Sequence, residues 1–179
     1  MTGPSPRILG AILAGGQSSR FGADKALALL GGKTLLDHVA ASLAPQVDAL
    51  AVVGRAYADI NSIADVPRPG LGPLGALAGA LRYAVEGGFG AVLSVPCDAP
   101  VLPGDLRRIL SGDGAAYLRD LPVIGWWPAM LARPLARWLD DDNPRSVRRW
   151  ADTVGARAIA VDRLPPNINT PADLAALGG

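Results

Sequence analysis

Cysteine and histidine are almost absent from this chain. Its 179 residues include one cysteine, Cys97, and one histidine, His38. A single cysteine excludes an intrachain disulfide framework, and the two residues together are too few for a zinc site of cysteine and histidine ligands. Nucleophilic catalysis by a serine or cysteine paired with histidine has little support, because His38 lies off the apolar face of its predicted helix. Any metal is therefore expected to be a hard cation bound by carboxylates.

Charge of either sign is also scarce, and long apolar runs are missing. Charged residues make up 18% of the chain and the formal net charge is +1, so no general electrostatic field attracts nucleic acid or an anionic membrane. No apolar run reaches the roughly 20 residues that a membrane-spanning helix needs, and residues 1–7 lack the apolar segment of a signal peptide. We expect a cytoplasmic protein that binds neither nucleic acid nor membranes, with residues 1–6 forming a flexible segment.

Apolar residues, in contrast, are abundant at 50% of the sequence, and their spacing predicts alternating strands and helices. Strands are predicted at residues 8–13, 47–53 and 91–95, and helices at 35–43, 76–85 and 105–110, with a short helix at 57–63 followed by a short strand at 64–66. Such alternation is typical of a mostly parallel sheet with helices on both faces. We predict one α/β domain over residues 1–179.

The last third of the chain carries weaker patterns. Strands are predicted at residues 115–118, 123–127 and 156–161, and helices at 128–139 and 146–151. Thr34 is expected to cap the helix at 35–43, and Thr170 to cap a final helix that has Pro171 at its first position. Trp126 and Trp127 are expected in the core, with an apolar contact surface as the alternative.

The stretch from Ile8 to Lys25 carries the strongest signal for function. Gly15 and Gly16 end the first strand, and glycine lets a backbone turn sharply and approach a ligand closely. Arg20 and Lys25 follow, and a turn rich in backbone N–H groups beside basic side chains suits a polyphosphate. A plain surface turn is the alternative, since the spacing matches neither the G-x-G-x-x-G nor the G-x-x-x-x-G-K-[ST] pattern.

Further segments are candidates for the same edge of the sheet. Asp98 follows the strand at 91–95 and so lies at its carboxyl end, where ligands bind in open α/β sheets. Asp105 provides a separate start for the next helix, which leaves Asp98 available for a ligand. Residues 72–75 are either a turn that begins a helix or a second glycine-rich surface for a base or ribose. The acidic run at 140–142 is more typical of a solvated turn than of a metal site.

These segments resemble the motifs of a known enzyme group. Residues 13–25 are similar to the opening motif L-A-G-G-x-S-x-R-[MF]-G-x-D-K of nucleotidyltransferases with a Rossmann-like fold. Residues 72–77, 95–100 and 167–174 resemble segments of the molybdenum cofactor guanylyltransferases in particular: Gly-Pro-Leu-Gly-Ala-Leu, Val-Pro-Cys-Asp-Ala-Pro and Asn-Ile-Asn-Thr-Pro-Ala-Asp-Leu. The resemblance spans residues 8–177. It implies a single three-layer Rossmann-like nucleotidyltransferase domain.

The resemblance also implies a reaction and a set of site residues. The reaction is transfer of GMP from GTP to the terminal phosphate of molybdopterin, which forms the guanine dinucleotide cofactor and releases pyrophosphate. The residues implied for GTP binding are Leu13, Ala14, Gly15, Gly16, Lys25, Asp65 and Asp98, with Asp98 also binding Mg²⁺ as the cofactor and with Asn167 and Asn169 near molybdopterin. Arg20 and Lys25 would neutralise charge on the leaving pyrophosphate. Arg20, Lys25 and Asp98 are thus the predicted catalytic residues.

One position departs from the family pattern, and alternatives remain open. The family often has an asparagine after the second strand, where this chain has Gly54 and Arg55, so a nucleotide contact there is missing or is made by backbone. A related transferase that uses CTP, or a sugar or alditol phosphate acceptor, is one alternative. A non-catalytic nucleotide or cofactor-binding module is another. Transient contact with molybdoenzyme acceptors or cofactor chaperones is compatible with a transferase and with a binding module.

Overall fold

The protein is described by a computed structural model that covers residues 6–15, 24–141 and 143–178. The described residues of the first half contain five strands and two α-helices: β1 (Ile8–Leu13), β2 (Leu29–Leu30), β3 (Lys33–Thr34), α1 (Leu35–Leu43), β4 (Ala49–Val53), β5 (Asn61–Ile63) and α2 (Gly72–Glu86). The second half contains β6 (Ala91–Pro96), α3 (Leu106–Leu110), β7 (Ala116–Leu118), β8 (Leu121–Pro128), α4 (Ala132–Asp140), α5 (Val147–Thr153), β9 (Arg157–Ile159) and α6 (Pro171–Ala176). Short 3₁₀ turns at Lys25–Leu27, Ala44–Gln46 and Ala129–Leu131 connect some of them.

Seven of these strands form one sheet in the order β5–β4–β1–β6–β8–β7–β9. Strand β1 pairs in parallel with β4 on one side and with β6 on the other. Strand β8 runs antiparallel to both of its neighbours, β6 and β7, while β9 is parallel to β7. The prediction of a mostly parallel α/β sheet is confirmed. Within the described ranges, no helix is long and apolar enough to cross a bilayer.

Alternate residues of β1 face opposite sides of the sheet, and each side is covered by helices. Leu9 and Ala11 pack in a core with α2, α4 and α5, whereas Ile8 and Ile12 pack in a second core with α1 and α3. All six residues of β1 are buried, as expected for a central strand of a parallel sheet. The result is the predicted arrangement of three layers.

The two adjacent tryptophans of β8 belong to the core, as predicted. Trp127 is fully buried and Trp126 is 7% exposed, and they point to opposite faces of the sheet. The indole N–H of Trp127 donates to the buried hydroxyl of Ser94, at 3.0 Å. A buried indole is stabilised when its polar N–H finds a partner of this kind.

The segment after β4 differs from the prediction. No helix forms at 57–63 and no strand at 64–66; instead Asn61–Ile63 forms β5, parallel to β4. Ile63 is 5% exposed in the core, and a strand buries its side chain while hydrogen bonding to β4. The apolar residues of this segment are too few to define a helical period, so pairing with the neighbouring strand determines its conformation.

The predicted helix at 128–139 begins later than expected. Pro128 is the last residue of β8, a 3₁₀ turn follows, and α4 begins at Ala132. Pro134 therefore lies in the first turn of α4, where its missing N–H has no intrahelical partner to lose. The predicted caps of α1 and α6 are confirmed as complete capping boxes, Thr34 with Asp37 and Thr170 with Asp173.

We predict that Gly79→Ala destabilises the fold, although alanine usually stabilises a helix interior by about 1 kcal/mol relative to glycine. Gly79 lies in α2, and a Cβ there would stand 2.2 Å from the carbonyl oxygen of Ala64. We expect overpacking to lower the free energy of unfolding by about 1–3 kcal/mol, measured by urea denaturation. Gly104→Ala is the control, because a Cβ there meets no atom within 4 Å. Equal stability of the two variants would contradict the prediction.

Candidate active site

A cleft opens where the connections from the first strands diverge. The chain passes from β1 to β4 and β5 on one side, then crosses back to β6 on the other side of β1. Ligands bind in open α/β sheets at such a switch point, beyond the carboxyl ends of the strands. The cleft has a volume of about 300 Å³, and its lining includes seven of the predicted site residues: Leu13, Ala14, Gly15, Lys25, Asp65, Asp98 and Asn167.

Lys25 and Asp98 form an ion pair in this cleft. Asp98 follows β6, and its Oδ2 lies 2.7 Å from Lys25 Nζ; the side chains are 17% and 15% exposed, respectively. Lys25 Nζ also donates to Asn169 Oδ1 at 3.3 Å. The pair brings one carboxylate and one ammonium group together in a partly dehydrated site, where electrostatic interactions are stronger than in bulk water.

A single buried side chain orients both predicted asparagines. Ile168 is fully buried against Leu30 and Leu35, and its N–H donates to the carbonyl oxygen of Asp98 at 2.9 Å. Asn167 and Asn169 flank it. With its amide oriented to donate, Asn167 Nδ2 lies 2.8 Å from Asp98 Oδ1 and 3.2 Å from Oδ2. Asn167, Asn169, Lys25 and Asp98 therefore form one polar cluster.

Asp65 lies at the other end of the cleft, beside two glycines. Its carboxylate oxygens would stand 3.5 Å from a Cβ on Gly15, and Oδ1 3.4 Å from a Cβ on Gly54. Burial raises the pKa of Asp65 above its usual value, although an N–H from Gly70 opposes this shift. The Oδ1 atom is buried and has no hydrogen-bond partner among the described residues. A buried acceptor without a partner is costly to the fold and suits a donor supplied by a ligand.

Gly15 and Gly54 place the backbones of two loops in direct contact. Gly54 has φ +91°, and a Cβ on it would lie 2.4 Å from the Cα of Gly15. Only glycine fits at this position, because any side chain would meet the neighbouring backbone. Gly15, after β1, and Gly54, after β4, are therefore fixed against each other beside Asp65.

Sequence reasoning missed one polar contact at the mouth of the cleft. Arg55 NH1 donates to Asp24 Oδ1 at 2.9 Å, and NH2 lies 2.7 Å from Oδ2. Asp24 belongs to the opening motif and lines the cleft, but its role could not be assigned without a partner. Its hydrogen bond with the Arg55 guanidinium holds the pKa of Asp24 below its usual value. The only sequence signal was the unusual arginine after β4.

Two predicted site residues, Gly16 and Arg20, lie outside the described residues. Among those described, the alternatives for nucleophilic chemistry lose support. Burial raises the pKa of the Cys97 thiol to about 11, so the reactive thiolate is scarce at neutral pH. His38 Nε2 lies 2.7 Å from the carbonyl oxygen of Leu30, outside the cleft lining.

The donor set fits a hard divalent cation shared with a substrate. No group of three or more histidine, cysteine, aspartate or glutamate residues that could hold a metal ion occurs in the described part of the chain. Magnesium is commonly bound by one or two carboxylates together with substrate phosphates. Asp98 supplies one carboxylate at the cleft, so the residues present fit an ion that a bound nucleotide would help to coordinate.

The chain is similar to proteins of one transferase family. Residues 10–156 match the family described as the MobA-like NTP transferase domain. A molybdenum cofactor guanylyltransferase of Acidiphilium cryptum is 38% identical over 188 residues, covering 97% of this chain and 96% of that protein. One from Sinorhizobium fredii is also 38% identical and covers 97% and 91% of the respective chains.

Solved structures share the fold at lower sequence identity. The molybdopterin-guanine dinucleotide biosynthesis protein A of Archaeoglobus fulgidus superimposes with a TM-score of 0.77 at 22% identity, covering 94% of this chain and 96% of that one. The 2-C-methyl-D-erythritol 4-phosphate cytidylyltransferase of Thermus thermophilus has a TM-score of 0.70 at 16% identity and covers 93% and 95%. At these identities the likeness supports the fold, not the choice of substrate.

We predict that Gly54→Ala is more harmful than Gly88→Ala. Both glycines have positive φ, so both alanines carry a backbone cost of about 1–2 kcal/mol. A Cβ at Gly88 meets nothing within 4 Å, whereas one at Gly54 meets Gly15, which adds about 1–3 kcal/mol of overpacking. Urea denaturation measures the difference in the free energy of unfolding. Two variants of equal stability would mean that the two loops can separate at no cost.

We also predict that Asp65→Asn stabilises the protein at pH 7. Because burial raises the pKa of Asp65 in the folded state, the ionised carboxylate costs stability above that pKa. The cost falls as the pH drops through the folded-state pKa and is absent well below the ordinary value of 3.8. Urea denaturation repeated across pH should therefore show that the gain in the free energy of unfolding from Asp65→Asn shrinks as the pH approaches 3.8. The exposed residue Asp113 provides a control, Asp113→Asn; a gain independent of pH would contradict the prediction.

Proposed function

From the premise that the chain belongs to the MobA-like NTP transferase family, we propose that it is a molybdenum cofactor guanylyltransferase. It transfers GMP from GTP to molybdopterin, forms the guanine dinucleotide cofactor and releases pyrophosphate. The observation that carries this proposal is the cluster of Lys25, Asp98 and Asn167 in the switch-point cleft. The name shared by relatives of 38% identity over almost the whole chain supports the choice of reaction.

In this proposal the nucleoside lies at the Gly15 end of the cleft. Leu13, Ala14 and Gly15 form the surface against which the guanine nucleotide lies, and Gly72, Pro73 and Ala76 of α2 line the same cleft. Gly16, which is outside the described residues, is assigned to the same nucleotide site. Asp65 accepts a hydrogen bond from the nucleoside through its buried Oδ1, which has no partner among the described residues. Small residues on two sides let the nucleotide approach the backbone closely.

The phosphates lie at the Lys25 end. Lys25 neutralises charge on the triphosphate, and Arg20, which is outside the described residues, is assigned the same task at the leaving pyrophosphate. Asp98 would hold Mg²⁺ together with the nucleotide phosphates. When bound, the ion supplies charge neutralisation at phosphate oxygens as the pyrophosphate leaves.

The acceptor enters beside Asn167 and Asn169. A terminal phosphate oxygen of molybdopterin forms a bond to the α-phosphorus of GTP, and the bond from that phosphorus to the bridging oxygen of the β-phosphate breaks. The attacking phosphate is already ionised, so the protein needs no strong base, in agreement with the single histidine outside the cleft lining. Catalysis then rests on in-line positioning and on neutralisation of charge by Lys25 and Arg20.

A transfer assay tests the proposal. The purified protein is incubated with molybdopterin, Mg²⁺ and each of the four nucleoside triphosphates in turn, and dinucleotide and pyrophosphate are measured. We expect both products with GTP. A clear preference for CTP would replace the guanylyl assignment with a cytidylyl one. Nucleotide binding without pyrophosphate release would favour the non-catalytic module.

We predict that Asp98→Asn lowers the rate of GMP transfer by at least about 100-fold, the usual order for loss of an electrostatic group at a transition state. Removal of divalent ions by a chelator should abolish transfer by the wild-type protein. Binding of Mn²⁺ in the presence of GTP, followed by electron paramagnetic resonance, should weaken in the variant. The control is Asp105→Asn, at the start of α3 and outside the cleft lining. Normal Mn²⁺ binding by Asp98→Asn would remove the metal assignment.

A further inference from the structure

Arg55 and Asp24 join two loops at the mouth of the cleft. The two guanidinium nitrogens NH1 and NH2 meet the two carboxylate oxygens at 2.9 and 2.7 Å. The side chains are 25% and 42% exposed, and the remaining nitrogen, Nε, is buried without a hydrogen-bond partner among the described residues. A bidentate pair of this kind fixes orientation as well as distance.

The backbone of Arg55 is held firmly on the β4 side. Gly54 packs against the backbone of Gly15, and its N–H donates to the carbonyl oxygen of Ile63 at 2.8 Å. The carbonyl oxygen of Arg55 accepts a hydrogen bond from Ser62 Oγ at 2.9 Å. The Arg55 side chain therefore extends from a fixed backbone, so its guanidinium can hold the Asp24 carboxylate in a fixed position.

Asp24 in turn fixes the backbone of the turn that contains Lys25. Asp24 Oδ1, which Arg55 contacts, also accepts from the N–H of Ala26 at 3.2 Å and so caps the 3₁₀ turn Lys25–Leu27. Lys25 is the next residue, and its Nζ reaches Asp98 at 2.7 Å. A continuous series of contacts runs from the end of β4 through Arg55, Asp24 and Lys25 to Asp98, beyond the end of β6.

We propose that Arg55 is a positioning residue that holds the Asp24 end of the opening motif and thereby sets the place of Lys25 in the cleft. The inference deepens the proposed function, since it assigns to Arg55 an indirect part in nucleotidyl transfer. Arg55 itself is outside the cleft lining, while Asp24 and Lys25 are within it. Both terminal nitrogens of Arg55 contact Asp24.

Four variants separate this role from a direct contact with the nucleotide. Arg55→Ala and Asp24→Asn each remove the pair, Arg55→Lys keeps the positive charge, and Arg55→Asn keeps a polar side chain that cannot meet both oxygens of Asp24. We expect kcat/KM for GTP to fall by about 10- to 100-fold in the first two variants, because small displacements of a reacting or neutralising group cost that much. KM for the acceptor should not change.

The relative activities of these variants test the positioning role of Arg55. Arg55→Lys should recover only part of the lost activity, because one ammonium group keeps the charge but not the two-point contact with Asp24, and Arg55→Asn should recover none. The double variant Asp24→Asn with Arg55→Ala should be no worse than either single variant, because one contact is removed only once. Losses that add in the double variant, or recovery by Arg55→Asn but not by Arg55→Lys, would overturn the proposal in favour of direct contact.

A second measurement does not depend on the reaction. Amide hydrogen exchange of the peptide that covers residues 24–30 should become faster in Arg55→Ala and Asp24→Asn, because the 3₁₀ turn loses its fixed cap. Arg82→Ala is the matched control: Arg82 forms an ion pair with Glu86 on an exposed face of α2, at 3.8 Å. If the wild-type protein transfers no GMP, the proposed function fails while this measurement still tests the contact. Unchanged exchange in both variants would overturn the positioning role.

Discussion

The interior position of β1, which is hydrogen bonded in parallel on both sides, is the constraint on which the site depends. Its fully buried residues fix the sheet, and its carboxyl end delivers Leu13, Ala14 and Gly15 to the cleft. Because β4 and β6 lie on opposite sides of it and run parallel to it, Gly54 and Asp98 lie at the same edge of the sheet. Residues far apart in sequence thus become neighbours through strand order alone, and the chemistry of the cleft follows from the topology.

The cleft holds polar groups at some cost to the stability of the protein. Asp65 has a buried oxygen and Arg55 a buried nitrogen without hydrogen-bond partners among the described residues. Unsatisfied buried polar atoms each cost roughly 1–3 kcal/mol, so a fold selected for stability alone would replace them. Under the proposed function, Asp65 keeps this cost because it binds the nucleoside, and Arg55 keeps it because it positions Lys25.

Much of this arrangement could be predicted from the sequence, and the exceptions have physical reasons. Strand β1, α1 and the caps at Thr34 and Thr170 were predictable because apolar spacing and local hydrogen bonding determine them. The segment that forms β5 was wrongly predicted as a helix, because its conformation depends on pairing with β4. The contact between Arg55 and Asp24 spans 31 positions, and no local pattern specifies a contact of that kind. The assignment of nucleotide and acceptor to particular residues stays a prediction.

One wall of the cleft comes from the start of β8, not from a loop that follows a parallel strand. Because β8 runs antiparallel to β6, it begins at the edge where the parallel strands end, and Leu121 and Val123 line the cleft there. The turn that joins β7 to β8 consists of Arg119 and Asp120 and lies at the same edge. Hairpin turns tolerate insertions far better than buried strands do. Lengthening this one turn in evolution would remodel one wall of the cleft and leave the loops after β1, β4 and β6 in place.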